Sequence, residues 1–473
     1  LKRSRAIGLA AGFALLPHVA FADEALTPEQ RAEITQLVAE ASQAPQAIGF
    51  TVAVARGDGV AYQAARGKRT LDPEAPATVD TWYCIGSVTK QFTTALIMQL
   101  VEAHRMALDD RLATILPAFP HAQEITFRQL LSHTTGLAEY AGDAYTSGLM
   151  DKTDVRPDQL AALIAGQPLD FTPGTHWEYS NSNYLALGLA IERLYAKPYA
   201  QVLRERIIQP LGIEVNAGPP SSGAIARGYT EGATPKAMTT PDTTWAYAAG
   251  EIYATVPGLV AWNRALFGNR VVSADSLAQM TTPAKLTNGK TVDYGFGLSV
   301  TTVLGHRMVS HNGGVPGGFS AQNFVFPDDR LAIVTLANTM DFNLALPATK
   351  FAEIFLPGTD AALQSLAQER VAELDDPAVR TRAREWLDRI KSGSWDKAQL
   401  TPQMLAALTP DAVRPAQDVI KAAGAMRSLH LIGFALRGGY RVYVYSVRAA
   451  SGLYTFTLVL DQQNKVAGLF VKP

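Results

Sequence analysis

Residues Cys84 to Phe92 read "CIGSVTKQF", and from Ser87 the run continues "SVTKQFTTALIMQLVEAHRM" to Met106. No Gly or Pro interrupts it. Val88, Phe92, Leu96 and Leu100 recur every fourth residue, and Ala95, Ile97, Met98 and Val101 occupy the other faces. That pattern predicts a helix buried nearly all round. Ser87 stands at its start behind Gly86, and residues i and i+3 share a helical face, so the Lys90 ammonium is expected beside the Ser87 hydroxyl, inside the protein. A serine hydroxyl is a weak nucleophile until an adjacent base takes its proton. At an unperturbed pKa of about 10.4, only about one lysine in two thousand is neutral at pH 7, so Lys90 can serve only if burial or neighbouring charge lowers that value. The apolar helix start supplies the burial.

Taken alone, S-x-x-K fits an N-cap serine followed by a snorkelling lysine equally well. A second copy, Ser394 to Lys397 in "SGSWDK", sits in a polar stretch broken by Gly and Ser with no apolar helix behind it, and reads as a solvated turn. Residues downstream of Ser87 separate the two readings. "FTPGTHWEYSNSNYLALGLAIERLY" places Tyr179-Ser180-Asn181 in a polar loop before an amphipathic helix. "MVSHNGGVPGGFSAQNFVF" places His311-Asn312-Gly313 at the end of one strand, with a Gly-rich turn leading into the next. S-x-x-K, S-D-N and K-T-G form a set in penicillin-binding proteins and some β-lactamases.

With these stretches in this order, the chain resembles the serine β-lactamase and penicillin-binding superfamily, in the branch of class C β-lactamases, D-Ala-D-Ala carboxypeptidases, D-aminopeptidases and β-lactamase-like esterases. The likeness runs from about Leu26 to Leu356 and takes in "LLSHTTGL" (Leu130 to Leu137), "AAGEIYATVPGLVAWNRAL" (Ala248 to Leu266) and "YGFGL" (Tyr294 to Leu298). It implies Ser87 as the nucleophile that becomes acylated, and Lys90 as its proton acceptor or the group that tunes that acceptor. Tyr179 matches the branch's tyrosine, which as a phenolate can take the serine proton and later activate water. Asn181 would orient Lys90 and the substrate amide. The strand edge at His311, Asn312 and Gly313 would pair with substrate backbone, and the amides of Ser87 and Gly314 would form the oxyanion hole.

One departure bears on the substrate. The β-lactamases of this branch carry Lys then Thr where this chain has His311 and Asn312, and that cation and hydroxyl together favour a substrate carboxylate. Histidine occurs there in carboxypeptidase-like and aminopeptidase-like relatives. The resemblance thus weighs against efficient β-lactam hydrolysis and leaves peptide and ester hydrolysis open. The other class is a penicillin-binding sensor or scaffold that acylates and hardly turns over; retention of Lys90, Tyr179 and Asn181 together favours the enzyme.

Composition frames this reading. A chain of 473 residues, 47% hydrophobic and 18% charged, can bury one large core and a smaller second one. Lys2, Arg3 and Arg5, the apolar run Ala6 to Leu16 and the A-x-A site Ala20-Phe21-Ala22 read as a secretory signal peptide over 1–22, so a periplasmic or secreted location is expected. Its removal takes the formal net charge from −1 to −4, and neither value argues for nucleic acid or an anionic surface as partner. A small-molecule or peptide substrate, cell-wall peptide included, is the expected partner. The single cysteine, Cys84, reads as a buried packing residue, and metal-site spacings are absent, so a metal-free, cofactor-free reaction is expected. His133 and Thr134 fit a structural turn, His176 and Glu178 an exposed loop, and no G-x-S-x-G elbow is present.

The fold class that follows is α+β. "IGFTVAVARGDGVAYQAARG" (Ile48 to Gly67) reads as two strands around Gly57-Asp58-Gly59; "FSAQNFVF", Pro327-Asp328-Asp329 and "RLAIVTLAN" repeat that signature near the end of the domain. An antiparallel sheet built from both ends of 23–357, flanked by helices and interrupted by a mostly helical insert, is expected. After a linker at 358–375, residues 376–473 read as helices followed by a strand meander. This second α+β domain loosely resembles the NTF2-like or cystatin-like fold.

Overall fold

A computed structural model describes residues 26–472 apart from 45–46, 143–151, 153, 231–233, 239–242, 317, 341, 343–345, 360–375, 438–439 and 451. The signal-peptide segment and most of the linker lie outside the described residues. The chain divides into two compact units at Pro357/Gly358.

In the first unit, strands β1 (Gly49–Arg56), β2 (Gly59–Leu71) and β3 (Glu74–Pro76) come from the start of the chain. Strands β7 (Ser299–Val303), β8 (His306–Val315), β9 (Phe319–Phe326) and β10 (Leu331–Ala337) come from its end. They form one antiparallel sheet of order β3-β2-β1-β10-β9-β8-β7, so the two ends of the domain meet where β1 pairs with β10. β1, β9 and β10 are buried along almost their whole length because both faces of the sheet are covered there; β1 and β10 are mostly apolar, while β9 also buries Ser320, Gln322 and Asn323. Helices α1 (Pro28–Ala41) and α5 (Ala348–Phe355) pack against one another; α4 (Val256–Phe267) crosses β10 and β1. Between the two groups of strands lie the helical insert and a small sheet of β4 (Tyr83–Cys84), β6 (Ile252–Ala254) and β5 (Val215–Ala217).

Helix α2 (Thr89–Glu102) is the spine of the domain. Every residue from Thr89 to Met98 is buried, as the uninterrupted apolar pattern requires. Phe92 stacks on Trp262 with ring centroids 3.9 Å apart. Gln91 Oε1 accepts from Trp262 Nε1 at 2.9 Å and from Asn323 Nδ2 at 3.1 Å, so one buried amide ties α2 to α4 and to β9. Cys84 is buried, donates weakly to the Gly250 carbonyl, and burial pushes its thiol up to about 12, which suits a packing role.

In the second unit, helices α6 (Pro377–Ser392) and α7 (Pro410–Ala423) precede a four-stranded antiparallel meander, β11 (Met426–Arg437) through β12 (Tyr440–Ala449), β13 (Gly452–Leu460) and β14 (Val466–Lys472). Trp386, Leu387, Tyr445, Phe456 and Leu458 fill its core. Ser394 and Lys397 are exposed in the turn after α6. Among the described residues no helix is long and apolar enough to cross a membrane.

Candidate active site

The 3-10 turn Gly86–Val88 delivers Ser87 to the mouth of a cleft, and α2 begins one residue later. Gly86 has φ +51°, and a Cβ placed there would lie 2.7 Å from the Gly314 amide nitrogen. Only glycine fits both the backbone and the space. Lys90, one turn on, is fully buried; its Nζ lies 3.1 Å from Ser87 Oγ, 2.8 Å from Asn181 Oδ1 and 2.9 Å from the Ala249 carbonyl. Burial pulls its pKa down to about 7, against an opposing pull from the Glu139 carboxylate. A neutral amine has two protons and one lone pair. Asn181 Oδ1 and Ala249 O can only accept, so they take the two protons and the lone pair must face the Ser87 hydroxyl. The socket thus orients Lys90 as a proton acceptor by hydrogen-bond arithmetic alone.

The Asn181 amide is oriented by Glu139, whose Oε2 accepts from Asn181 N at 2.7 Å and from Asn181 Nδ2 at 3.1 Å; Oε1 accepts from Ala141 N at 2.7 Å. With Nδ2 committed to a carboxylate, Oδ1 must turn to Lys90. Asn181 is the first residue of helix α3 (Asn181–Tyr195), capped by Ser180. Tyr179 precedes the cap. Lys90 Nζ lies 4.8 Å from its ring centroid. The Tyr179 hydroxyl is sealed from solvent without a hydrogen bond of normal geometry; Ser87 is the polar group that lowers its pKa, and a larger effect of burial raises it. In the free cleft the phenol is therefore favoured over the phenolate that the resemblance implied.

His311 lies within β8, which runs on to Val315 because Asn312, Gly313 and Gly314 stay paired with Gln322, Ala321 and Ser320 of β9. On its other side β8 is paired with β7 only from His306 to Ser310. From His311 onward that outer edge is free of β7 and runs alongside the Ser87 turn. A Cβ on Gly313 would lie 1.9 Å from the Ile85 carbonyl oxygen and 3.1 Å from the Ser87 nitrogen. The backbone segments of Ser87 and Gly314 that an oxyanion hole needs are thus in contact. Gly313→Ala is expected to push β8 off the Ser87 turn and cut kcat/KM on an activated ester by about a hundredfold, the loss typical of one oxyanion donor; an unchanged rate would separate this strand from the chemistry.

His311 is buried and neutral. Its Nδ1 lies 2.6 Å from the Asn312 carbonyl, which accepts, so Nδ1 carries the proton and Nε2 accepts from the Tyr294 hydroxyl at 2.9 Å. Burial, then the nearby Lys90 charge, depress its pKa to about 3. The cleft, about 430 Å³, is lined by Ser87, Trp177, Tyr179, Tyr294, His311 and Met340 among others, and no described Lys or Arg lines it. Trp177 and Met340 are exposed large apolar side chains, which gives two parts of the cleft an apolar surface.

The structure brings Ser87, Lys90, Tyr179, Asn181, His311, Asn312, Gly313 and Gly314 to one place. His176 and Glu178 are exposed in the loop before Tyr179. Sequence reasoning missed Glu139, Trp177 and Met340, and did not foresee that Tyr294, within the quoted "YGFGL", donates to His311 Nε2. Among the described residues no group of three His, Cys, Asp or Glu could hold a metal ion.

Fold and site together define the class: a hydrolase of the β-lactamase and transpeptidase architecture. The chain belongs to the Beta-lactamase family, whose profile matches residues 34–353. It is 28% identical over 352 residues to penicillin-binding protein 4* of Bacillus subtilis (strain 168), covering 70% of this chain and 77% of that one. It is 30% identical over 296 residues to a D-aminopeptidase of Brucella anthropi, covering 61% of this chain and 56% of the relative, little more than half its length. A solved D-stereospecific amidohydrolase from Streptomyces sp. aligns with a TM-score of 0.58 at 27% identity, over 70% of this chain and 99% of its own.

Proposed function

We propose that the chain is an exported serine hydrolase that cleaves amide or ester bonds through an acyl-enzyme on Ser87, with D-amino-acid peptides, amides and carboxylesters as its substrate class. The observation that carries this reading is the Lys90 socket, which points a lone pair at Ser87 Oγ once the amine is neutral. Lys90 takes the serine proton as Oγ attacks the carbonyl carbon, and the Ser87 and Gly314 amides receive the oxyanion. Tyr179, facing the same oxygen, passes its proton to the leaving group and later regains one from the water that attacks the acyl carbon, while Lys90 returns its proton to Ser87 Oγ as the acyl group departs. Export rests on the N-terminal sequence pattern alone. The amide-cleaving side of the reading is supported by the D-aminopeptidase and D-stereospecific amidohydrolase relatives.

The cleft also favours one charge type. With His311 neutral and no described Lys or Arg on the lining, a substrate carboxylate at the β8 edge finds no counter-charge. D-alanyl-D-alaninamide and D-alanyl-D-alanine differ only in that carboxylate. The amide is expected to be cleaved at least tenfold better in kcat/KM, about 1.4 kcal/mol. A preference for the free acid would return the site to the carboxypeptidase reading.

A further inference from the structure

His133 is fully buried, has φ +57° and takes no part in the proton transfers assigned above. It nevertheless holds both neighbours of Tyr179. Its carbonyl accepts from Glu178 N at 3.0 Å, and its Nδ1 accepts from Ser180 N at 3.2 Å. Asn183 Nδ2 is a second donor to Nδ1 at 3.1 Å, and that amide cannot be turned round because the Ser180 carbonyl accepts from the same Nδ2 at 3.2 Å; Thr135 Oγ1 then donates to Asn183 Oδ1 at 2.5 Å. Two N–H donors on Nδ1 leave the ring proton on Nε2. Nε2 has no hydrogen-bond acceptor; the rings of Tyr294 and Trp177 meet the imidazole edge-on at centroid distances of 5.0 and 6.4 Å. The imidazole lies against the Tyr179 ring itself, centroids 4.4 Å apart and planes 31° from parallel. Residue 134 extends the grip, since Gly174 N donates to its carbonyl at 2.7 Å and anchors the loop that carries Trp177.

We propose that His133 is the positioning residue for Tyr179: it clamps the tyrosine's backbone on both sides, packs against its ring, and so sets the distance of the phenol from Ser87. Resting on the function proposed above, this assigns the "SHTTG" turn a role in turnover that a loop-stabilising turn would not have. Misplacement by about 1 Å can cost about a hundredfold in rate. His133→Ala therefore lowers kcat towards the level of Tyr179→Phe and leaves KM within about threefold. Asparagine places Oδ1 near the position of Nδ1, so His133→Asn keeps the acceptor and rescues kcat to within about tenfold of wild type. His133→Gln puts its acceptor further out and does not rescue.

The deciding experiment is a double-mutant cycle of His133→Ala and Tyr179→Phe, read as kcat and KM on p-nitrophenyl butyrate. If His133 acts through Tyr179, the double variant is no slower than Tyr179→Phe alone, within about threefold. Independent losses that multiply would overturn the proposal. If His133→Ala does not fold, the His133→Asn and His133→Gln variants carry the same cycle, and equal rates for these two overturn it. A Tyr179→Phe enzyme as fast as wild type would remove Tyr179 from the mechanism and this inference with it. Acylation of Ser87, read separately by intact mass, would still stand, so the two failures are distinguishable.

Discussion

Ser87→Ala is expected to lower turnover of p-nitrophenyl butyrate by at least about 10⁴-fold and to remove every covalent adduct on the protein, seen by intact mass after brief exposure to the ester or to benzylpenicillin. The size follows from what is lost. The hydroxyl is the group the Lys90 lone pair faces, at 3.1 Å, and removing the nucleophile from a site whose groups act as a unit leaves only the contribution of binding and oxyanion donors. The substitution deletes one oxygen at a partly exposed position, so the fold and the socket remain. An adduct that persists would place the nucleophile elsewhere. A penicilloyl adduct on the wild type that lasts while ester turnover is slow would favour the sensor reading; rapid ester turnover without one would favour the esterase.

Lys90→Met has the second largest expected effect, about 10³-fold in kcat/KM, within the 10²–10⁴-fold that general acid–base groups contribute. Its more specific signature is in the pH profile. With Lys90 pulled down to about 7, the fraction carrying a free lone pair is half at that pH, falls about tenfold per unit below it, and saturates above it. Wild-type kcat/KM should follow that acid limb, and Lys90→Met should lose it. Stability gives an independent check. The unfolded lysine keeps its proton up to its ordinary value of 10.5, whereas the folded one releases it near 7. Between those pH values the unfolded state binds more protons, so wild type gains stability as pH rises through that window, while Lys90→Met does not. Below 7 both states are protonated and the contribution is constant. Parallel denaturation midpoints for the two proteins across pH 7 to 10 would contradict the depressed value.

The contrast between what the sequence disclosed and what it concealed follows the range of the contacts. Ser87 and Lys90 are three residues apart on one helix, so local geometry fixes their meeting and the apolar pattern announces its burial. The strands at both ends of the domain were readable because their alternation and turns are local too. The full reach of β8 was not: the strand reads as ending at Gly313 with a Gly-rich turn after it, yet Gly314 and Val315 continue it, because β9 supplies pairing that composition does not reveal. Glu139 meets Asn181 across 42 residues, and His133 meets Ser180 across 47. Neither contact has a periodic signature, and a single carboxylate in "GLAEYAG" looks like any surface acid until the folded chain lays it beside α3. His133 was expected to satisfy backbone groups in a turn, which it does for Ser180; the stacking on Tyr179 needed the third dimension.

The short reach of β7 has a consequence of its own. Because that strand stops opposite Ser310, the sheet presents a half-width notch bounded by the Ser87 turn. A peptide that paired with this edge would form a temporary eighth strand, held through its peptide groups, and its recognition would then rest on main-chain length and straightness more than on side-chain identity. A catalyst with such a notch can be tolerant of many residues while rejecting a bent or branched backbone. An extended peptide with no cleavable bond would act as a plug whose grip grows with each residue it lays down.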